Sequence, residues 1–501
     1  MVNRQEKKMK RLLYLLCFTL CLVSCSKKQE TQEKNVQEIR TEKDLEGKVV
    51  GTLTGTCFEI DFAGRSDFRL VRQPTLSDLI ASLHKGRIDA ILYDEVSLPD
   101  TLLHRNGIKM AFRTETSYPC AFACTKSNLD LVNKFNEFLA KLKSSGELKE
   151  ITDKWMNATD YANVEMPDIQ KDSLIGEPLI VGTSYTTAPI SFMIGDEWHG
   201  FEIEILNRFG EYIGRPVQYR LFDFAAIVPA LQSGKIDMAG GVLFVTEERQ
   251  KMLALTDVYY YCYGGFFVRD MSAVTGGEAP NFSDLKESFN KHLLVENRWV
   301  FLARGLKVTL EITLLSMLFG SMLGIGLLAM RRSQRSWLSK TAKAYSLILR
   351  GIPMVVLLMI LFYIVFIGFS GIWVAVVAFT MTFASSFATT MDNAIQAVGD
   401  QQREAGEAMG FSRIQIFRYI TGPQAFKRAL PRFKSEAIGL IKNTSVVGYV
   451  AIQDLTRACD MIRARTFEAF FPLLFITVIY FILAWLMGKF LDYIFKIAIK
   501  I

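Results

Sequence analysis

Hydrophobic patterning divides the chain in two. Up to about residue 300, charges recur throughout and the pattern is that of a soluble α/β protein. Beyond it come long uncharged runs. Residues 312–330 hold 19 positions without a charge, enough for one membrane span. Residues 351–391 hold 41, too many for one span, and predict two joined at the turn Gly368-Phe369-Ser370-Gly371. Residues 469–488 predict a further span. Residues 437–453 form a weaker one, interrupted by Lys442 and Asn443. Five membrane helices are expected.

Lys/Arg residues are placed unevenly around these runs. Residues 331–350 carry six and no acid, and residues 399–435 carry seven. The Gly368 turn carries none. The positive-inside rule puts the two basic segments in the cytoplasm and the turn outside. Arg457, Arg463 and Arg465 break the rule, because their loop should also be outside; Asp454, Asp460 and Glu468 partly offset them. The net charge of +7 lies largely in the two basic segments and has a topological cause, so no nucleic-acid partner is expected.

The N-terminus has a basic stretch (Arg4, Lys7, Lys8, Lys10, Arg11) and then a 13-residue apolar run at residues 12–24. That is the secretory-signal pattern, too short for a comfortable span. Eight cysteines show no metal-binding spacing. Cys120 and Cys124 read as two positions on one strand, about 13 Å apart and unable to bridge. Most cysteines are expected to be small buried hydrophobes. Four histidines and no triad spacing argue against catalysis; no catalytic residue, metal or cofactor is expected. There is no GxxxxGK[ST] phosphate loop, so any ATP hydrolysis belongs to a separate subunit.

Three motifs in the membrane half carry a resemblance. Arg403-Glu404-Ala405-Gly406-Glu407-Ala408-Met409-Gly410, followed by Gly422-Pro423-Gln424, resembles the coupling loop of ATP-binding-cassette importer permeases. Arg350-Gly351-Ile352-Pro353 and Lys442-Asn443-Thr444-Ser445 resemble permease motifs of the polar amino-acid uptake family. The similarity covers about residues 296–490, with Gly406 standing where alanine is usual. It implies that Glu404, Ala405, Gly410 and Pro423 belong to a knob that docks on an ATPase subunit. It also implies a permease homodimer in the bacterial inner membrane.

The soluble half resembles periplasmic amino-acid-binding proteins of the family 3 type, with the parts in reverse order. Residues 41–157 resemble the second lobe, through pieces such as Gly86-Arg87-Ile88-Asp89-Ala90-Ile91 and Lys154-Trp155. Residues 178–270 resemble the first, through Gly200-Phe201-Glu202-Ile203-Glu204-Ile205 and Thr246-Glu247-Glu248-Arg249. The order implies either a circular permutation or two tandem domains that each lost a lobe. Arg249 occupies the family position for a ligand carboxylate, which suits a bidentate guanidinium. Asp94 occupies the position for the ammonium group, and the Gly55-Thr56 turn the position that caps the carboxylate. Phe224, Tyr185 and Tyr93 are expected to wall the cleft. Phe244, Leu53 and Cys57 depart from the family pattern and make the pocket less polar. Leu22-Val23-Ser24-Cys25 resembles a lipobox, which would make Cys25 a lipidation site anchored in membrane lipid.

The expected fold is therefore multi-domain: a two-lobed α/β periplasmic-binding-protein-like domain followed by an all-α transmembrane permease domain of about five helices. The boundaries are signal peptide 1–25, tether 26–40, binding-domain parts 41–157 and 178–270 around a linker 158–177, linker 271–300, and membrane domain 301–492 with its coupling loop at 400–432. The expected function is the permease subunit of an ATP-driven importer for polar amino acids or similar small zwitterions, with the solute clamp on the periplasmic side. The alternative is a ligand-gated ion channel of the glutamate-receptor type, which inserts its membrane helices between the lobes; here they follow both. A sensor is less favoured, because no signalling domain follows the last span.

Overall fold

The structure is a computed structural model that describes residues 38–99, 103, 107–169, 174–184, 188–194, 197–270, 289–466 and 470–500. Cys25, the apolar run before it and Tyr185 lie outside the described residues. Residues 1–44 form one unit and residues 45–501 another. In the first, the Asp44 carboxylate accepts a hydrogen bond from the Thr41 N–H at 2.9 Å.

The second unit begins with β1 (Val49–Leu53), α1 (Cys57–Asp61), β2 (Arg69–Gln73), α2 (Leu76–His84) and β3 (Ala90–Asp94). β1 pairs in parallel with both β2 and β3. Every residue of β3 is buried, as an interior strand of Ala-Ile-Leu-Tyr-Asp covered on both faces requires. Thr75 caps α2, its hydroxyl oxygen accepting from the Asp78 N–H. Then follow β4 (Ile108–Cys120), β5 (Ala123–Cys124), α3 (Leu129–Ser145) and α4 (Glu147–Met156).

The later segment supplies β6 (Leu179–Thr183), β7 (Phe192–Ile194), β8 (Glu197–His199), α5 (Phe201–Tyr212), β9 (Val217–Leu221), α6 (Phe224–Gln232), β10 (Met238–Ala239), α7 (Glu247–Met252), β11 (Ala254–Leu255) and β12 (Tyr260–Arg269). Two five-stranded sheets result, in the orders β2-β1-β3-β12-β4 and β11-β5-β10-β6-β9. Each sheet takes one strand from the other segment: β12 sits between β3 and β4, and β5 between β11 and β10. The chain thus crosses between lobes twice, at Ala121-Phe122 and at residues 256–259. The crossings are bonded to each other through Phe122 N–H to Thr256 Oγ1 (3.0 Å) and Thr256 N–H to the Phe122 carbonyl (2.9 Å). Trp155, at the end of the earlier segment, donates to Glu204 Oε2 in α5 at 2.8 Å.

The single strand expected through Cys120 and Cys124 is corrected. β4 ends at Cys120, and Cys124 belongs to β5 in the other sheet, because the chain changes lobes between them. Cys57, Cys120, Cys124, Cys262 and Cys459 are all buried free thiols, as expected of small hydrophobes.

The membrane domain comprises α8 (Trp299–Arg331), α9 (Ser336–Gly351), α10 (Met354–Ile360), α11 (Gly371–Gln396), α12 (Asp400–Ala408), α13 (Arg413–Ile416), α14 (Gly422–Asn443), α15 (Leu455–Thr466) and α16 (Phe470–Lys500). Among the described residues, α8, α11 and α16 are each long and apolar enough to cross a membrane. Two expectations change. The basic segment at residues 331–350 is mostly helix, α9, with Ala342, Ser346 and Leu349 buried on one face at helical spacing. It meets α10 and the π-turn Leu361–Val365 at a 104° bend over Ile352-Pro353, where proline lacks the N–H that a continuous helix needs. α10 with its π-turn rises only ~18 Å, too short to cross alone. The weak fourth span is not residues 437–453: α14 ends at Asn443 and a 3₁₀ run Thr444–Val450 follows. With basic residues along its length, α14 does not pass as an apolar span. The length and composition count is three spans, or four if the bent pair is one, against the five expected.

Candidate solute site, docking contacts and coupling knob

Thr246 caps α7 and thereby aims Arg249 from its first turn into the space between the lobes. Arg249 donates from Nη1 to the Phe244 carbonyl (2.7 Å) and from Nη2 to the Gly55 carbonyl in the other lobe (3.4 Å). Its guanidinium carbon lies 5.5 Å from the Phe224 ring centre. Gly55 has φ of +84°, and a Cβ there would sit 3.4 Å from Ala225, so this is where the two lobes touch. In this state the expected carboxylate caps are engaged locally. Gly55 N–H donates to Glu59 Oε2 (2.7 Å), and Thr56 Oγ1 donates to the Leu53 carbonyl (2.8 Å). Asp94 is buried at the end of β3 and accepts from the Ser97 N–H at 3.0 Å. Phe244 packs against Phe58 and Tyr118, with ring centres 5.5 and 5.1 Å away, giving the apolar surround its presence implied. Burial pushes the Cys57 thiol well up from its ordinary value, so it stays protonated.

A cavity of about 100 Å³ opens beside this contact. Leu53 and Tyr93 line it from one lobe, Phe222 and Phe224 from the other, and Arg457 and Arg463 from α15. The structure thus brings Tyr93 and Phe224 to one cavity. Arg249, although its guanidinium is 5.5 Å from the Phe224 ring centre, does not line it, and neither do Gly55, Thr56 and Asp94.

α15 was absent from the sequence-derived site. Arg457 Nη1 pairs with Asp223 at the start of α6 (2.6 Å), and Arg463 Nη2 pairs with Asp78 in the first turn of α2 (2.8 Å). One membrane-domain helix therefore holds both lobes. Lys235, buried in the turn between α6 and β10, donates to the carbonyls of Phe366 and Phe369 in the turn before α11. The sequence did carry a signal for α15: three arginines in a loop where the positive-inside rule wanted none. Two of them answer acids in the clamp. Glu202 was also missed as a functional group. It is buried in α5 and accepts from Gly241 N–H and Val242 N–H (2.7 Å each) and from the Tyr259 hydroxyl, fixing the loop that leads to Phe244.

α12 and α13 form the knob. Gly410 ends α12 at φ of +80°, and Ser412 starts α13 with a capping box to Gln415. A Cβ on Gly406 would lie 2.8 Å from Ile416 Cγ1, so glycine in place of the usual alanine lets the two short helices close up. Pro423 occupies the first turn of α14, where its missing N–H costs nothing. Glu404, Ala405 and Gly410 are exposed, as are the apolar Met409, Ile414 and Tyr419. α11 rises ~39 Å from the turn that Lys235 grips, so the knob and the clamp lie at opposite ends of it.

Comparison with known proteins follows this division. Residues 317–498 match the family model of binding-protein-dependent transport system inner membrane components. The probable amino-acid ABC transporter permease protein YckA of Bacillus subtilis (strain 168) is 31% identical over 36% of this chain and 80% of its own length. The chain belongs to this permease family. The putative glutamine transport system permease protein GlnP of Rickettsia conorii is 29% identical over 38% of this chain and 88% of its own length. A solved structure titled as an amino acid ABC transporter with histidines covers 43% of this chain at 26% identity, with a TM-score of 0.38. Residues 179–355 match the model of bacterial extracellular solute-binding proteins, family 3. That match begins at β6 and runs past β12 into the membrane helices.

The permease is thus a multi-pass membrane transport component with a solute-binding domain in the same chain. The ligand-gated channel alternative falls with this assignment, because the helices that would have formed its pore belong to a transporter permease.

Proposed function

We propose that this chain is the permease subunit of an ATP-driven importer for polar amino acids or similar small zwitterions, and that its clamp is a permuted family 3 binding domain. Arg249 takes the carboxylate, Asp94 the ammonium group, and Gly55 and Thr56 close from the opposite lobe once their local hydrogen bonds are exchanged for the ligand. Phe224, Tyr93 and Tyr185 wall the site. A separate ATPase subunit docks on the knob around Glu404, Ala405, Gly410 and Pro423, and two copies of the permease assemble in the inner membrane with the clamp on the periplasmic face. Cys25 is a lipidation site.

One observation carries this reading: the clamp, held by both lobes to α15, and the knob, with its exposed apolar face, lie at opposite ends of α11. That separation suits a device in which solute arrives at one end and nucleotide-driven motion enters at the other. Supplying the clamp in the same chain raises its effective concentration at the permease. The amino-acid relatives support the substrate class.

A thermal-shift screen of the full-length chain in nanodiscs against the twenty amino acids tests the reading. At least one should stabilise the wild type, and Arg249→Ala should abolish that stabilisation. A wild-type chain that responds to none, or an Arg249→Ala chain that responds unchanged, overturns it.

A further inference from the structure

Helix α9 has two faces of opposite character. Ala342, Ser346 and Leu349 are buried where it packs on α8 and α11. On the opposite face, at helical spacing, Trp337, Lys340, Leu347 and Ile348 are all exposed, and Lys343 stands on its flank. Leu347 is 76% exposed and Trp337 62%, so neither belongs to the core of this chain. Large apolar side chains grouped with cations on one outward face mark a contact surface.

The face is graded along its length. The Ser339 hydroxyl donates to the Arg331 carbonyl at 2.9 Å, so α9 starts beside the end of the apolar span α8. The Tyr345 hydroxyl donates to the carbonyl of Met381, in the interior of α11, at 3.1 Å, so the helix runs inward from there. Arg335, Trp337 and Lys340 thus sit at the boundary end, and Leu347 and Ile348 lie ~10 Å further along. That is the order of a phospholipid, with its headgroup at the boundary and its acyl chains inward. The charge decides which lipid. Arg331 and Arg332 are engaged by Thr389 (2.6 Å) and Asp392 (3.2 Å) of α11. Arg335, Lys340 and Lys343 form no ion pair among the described residues, and residues 331–350 contain no acid. A second copy docked through this face by a two-fold axis would set cation against cation. A water-soluble acidic partner would leave Leu347 and Ile348 uncovered. An anionic phospholipid answers both the cations and the apolar length.

We propose that the outward face of α9 is a binding surface for an anionic glycerophospholipid. Arg335, Lys340 and Lys343 hold the headgroup phosphate, Trp337 lies at the level of the ester groups, and Leu347 and Ile348 carry an acyl chain. The surface stands whether or not the transported solute is an amino acid.

Tryptophan quenching on the full-length chain in mixed nanodiscs tests it. The probe is phosphatidylglycerol brominated near the ester end of its chains, diluted into phosphatidylcholine, against brominated phosphatidylcholine at the same fraction. The part of the quenching due to Trp337 is the difference between the wild type and Trp337→Phe. Phosphatidylglycerol should be enriched around Trp337 roughly fivefold, the ratio that ~1 kcal/mol of selectivity gives. Lys340→Gln/Lys343→Gln should bring the ratio close to one, and Lys340→Arg/Lys343→Arg should keep it. Lys427→Gln/Lys489→Gln removes as much charge from exposed positions on α14 and α16 and should leave the ratio unchanged. Equal quenching by the two lipids in the wild type overturns the proposal, as does a preference that survives Lys340→Gln/Lys343→Gln. A preference lost equally in the Lys427→Gln/Lys489→Gln variant also overturns it, because net charge rather than this face would then select the lipid.

Discussion

Arg457 Nη1 and Asp223 Oδ1 are 2.6 Å apart and join the membrane domain to the first residue before α6 of the clamp. Arg457 is 12% exposed and Asp223 39%, so the pair is half-shielded and worth more than a surface ion pair. With Arg463 on Asp78, it gives each lobe its own anchor on one rigid helix. Opening the clamp must stretch at least one of them.

Reversing the Arg463–Asp78 pair should therefore recover much of what breaking it loses, short of the Arg463–Asp460 contact that the reversal also removes. Arg463→Glu alone is expected to cut solute uptake in proteoliposomes roughly tenfold, equivalent to ~1.4 kcal/mol. Adding Asp78→Arg should restore much of it. Equal loss in the single and double variants would show that the pair does not transmit docking.

The knob offers a steric test. Gly406→Val places a branched side chain where a Cβ is already 2.8 Å from Ile416. It is expected to reduce solute-stimulated ATP hydrolysis by the reconstituted complex several-fold. The amino-acid thermal shift of the clamp should be unchanged, because the clamp lies at the far end of α11.

Glu202→Gln removes the charge that Gly241, Val242 and Tyr259 address and leaves one acceptor oxygen for two backbone donors. Leaving such a group unpaired at a site 1% exposed costs about 2 kcal/mol. A fall of about 5 °C in the thermal midpoint of the clamp is expected.

Asp454 contributes a pH dependence. Its carboxylate accepts from the N–H groups of Thr456 and Arg457 at the start of α15, while burial pushes its pKa up from 3.8 to about 6. The folded state therefore takes up a proton more readily than the unfolded chain. Its stabilising contribution is full below about pH 4 and is lost as pH rises through about 6. The midpoint difference between the wild type and Asp454→Asn should shift in the wild type's favour as pH falls from 7 to 4.5. A difference that stays flat would rule out this titration.

Much of the plan was legible in local sequence. Uncharged runs located α8, α11 and α16, since a bilayer core demands length and apolarity that the chain itself displays. The knob was located by the resemblance of Arg403–Gly410 and Gly422-Pro423-Gln424 to a permease coupling loop, and the structure uses its Gly410 for a positive φ and its Pro423 in a first helical turn. The buried free cysteines and the apolar company of Phe244 also followed from residue type. The fold was less legible wherever a strand or helix depends on a distant partner. Nothing local in Tyr260–Arg269 says that it lies between β3 and β4, or in Ala123–Cys124 that it leaves the sheet of β4. Those placements rest on hydrogen bonds between residues more than a hundred positions apart. The bend at Pro353 turned an expected loop into helix α9, because a buried one-sided face outweighed its basic character. The arginines of α15 were visible only as an exception to a charge rule. Their charge was written in the sequence, but the acids they meet, Asp78 and Asp223, lie 385 and 234 positions away. Only folding decides which acid each arginine meets.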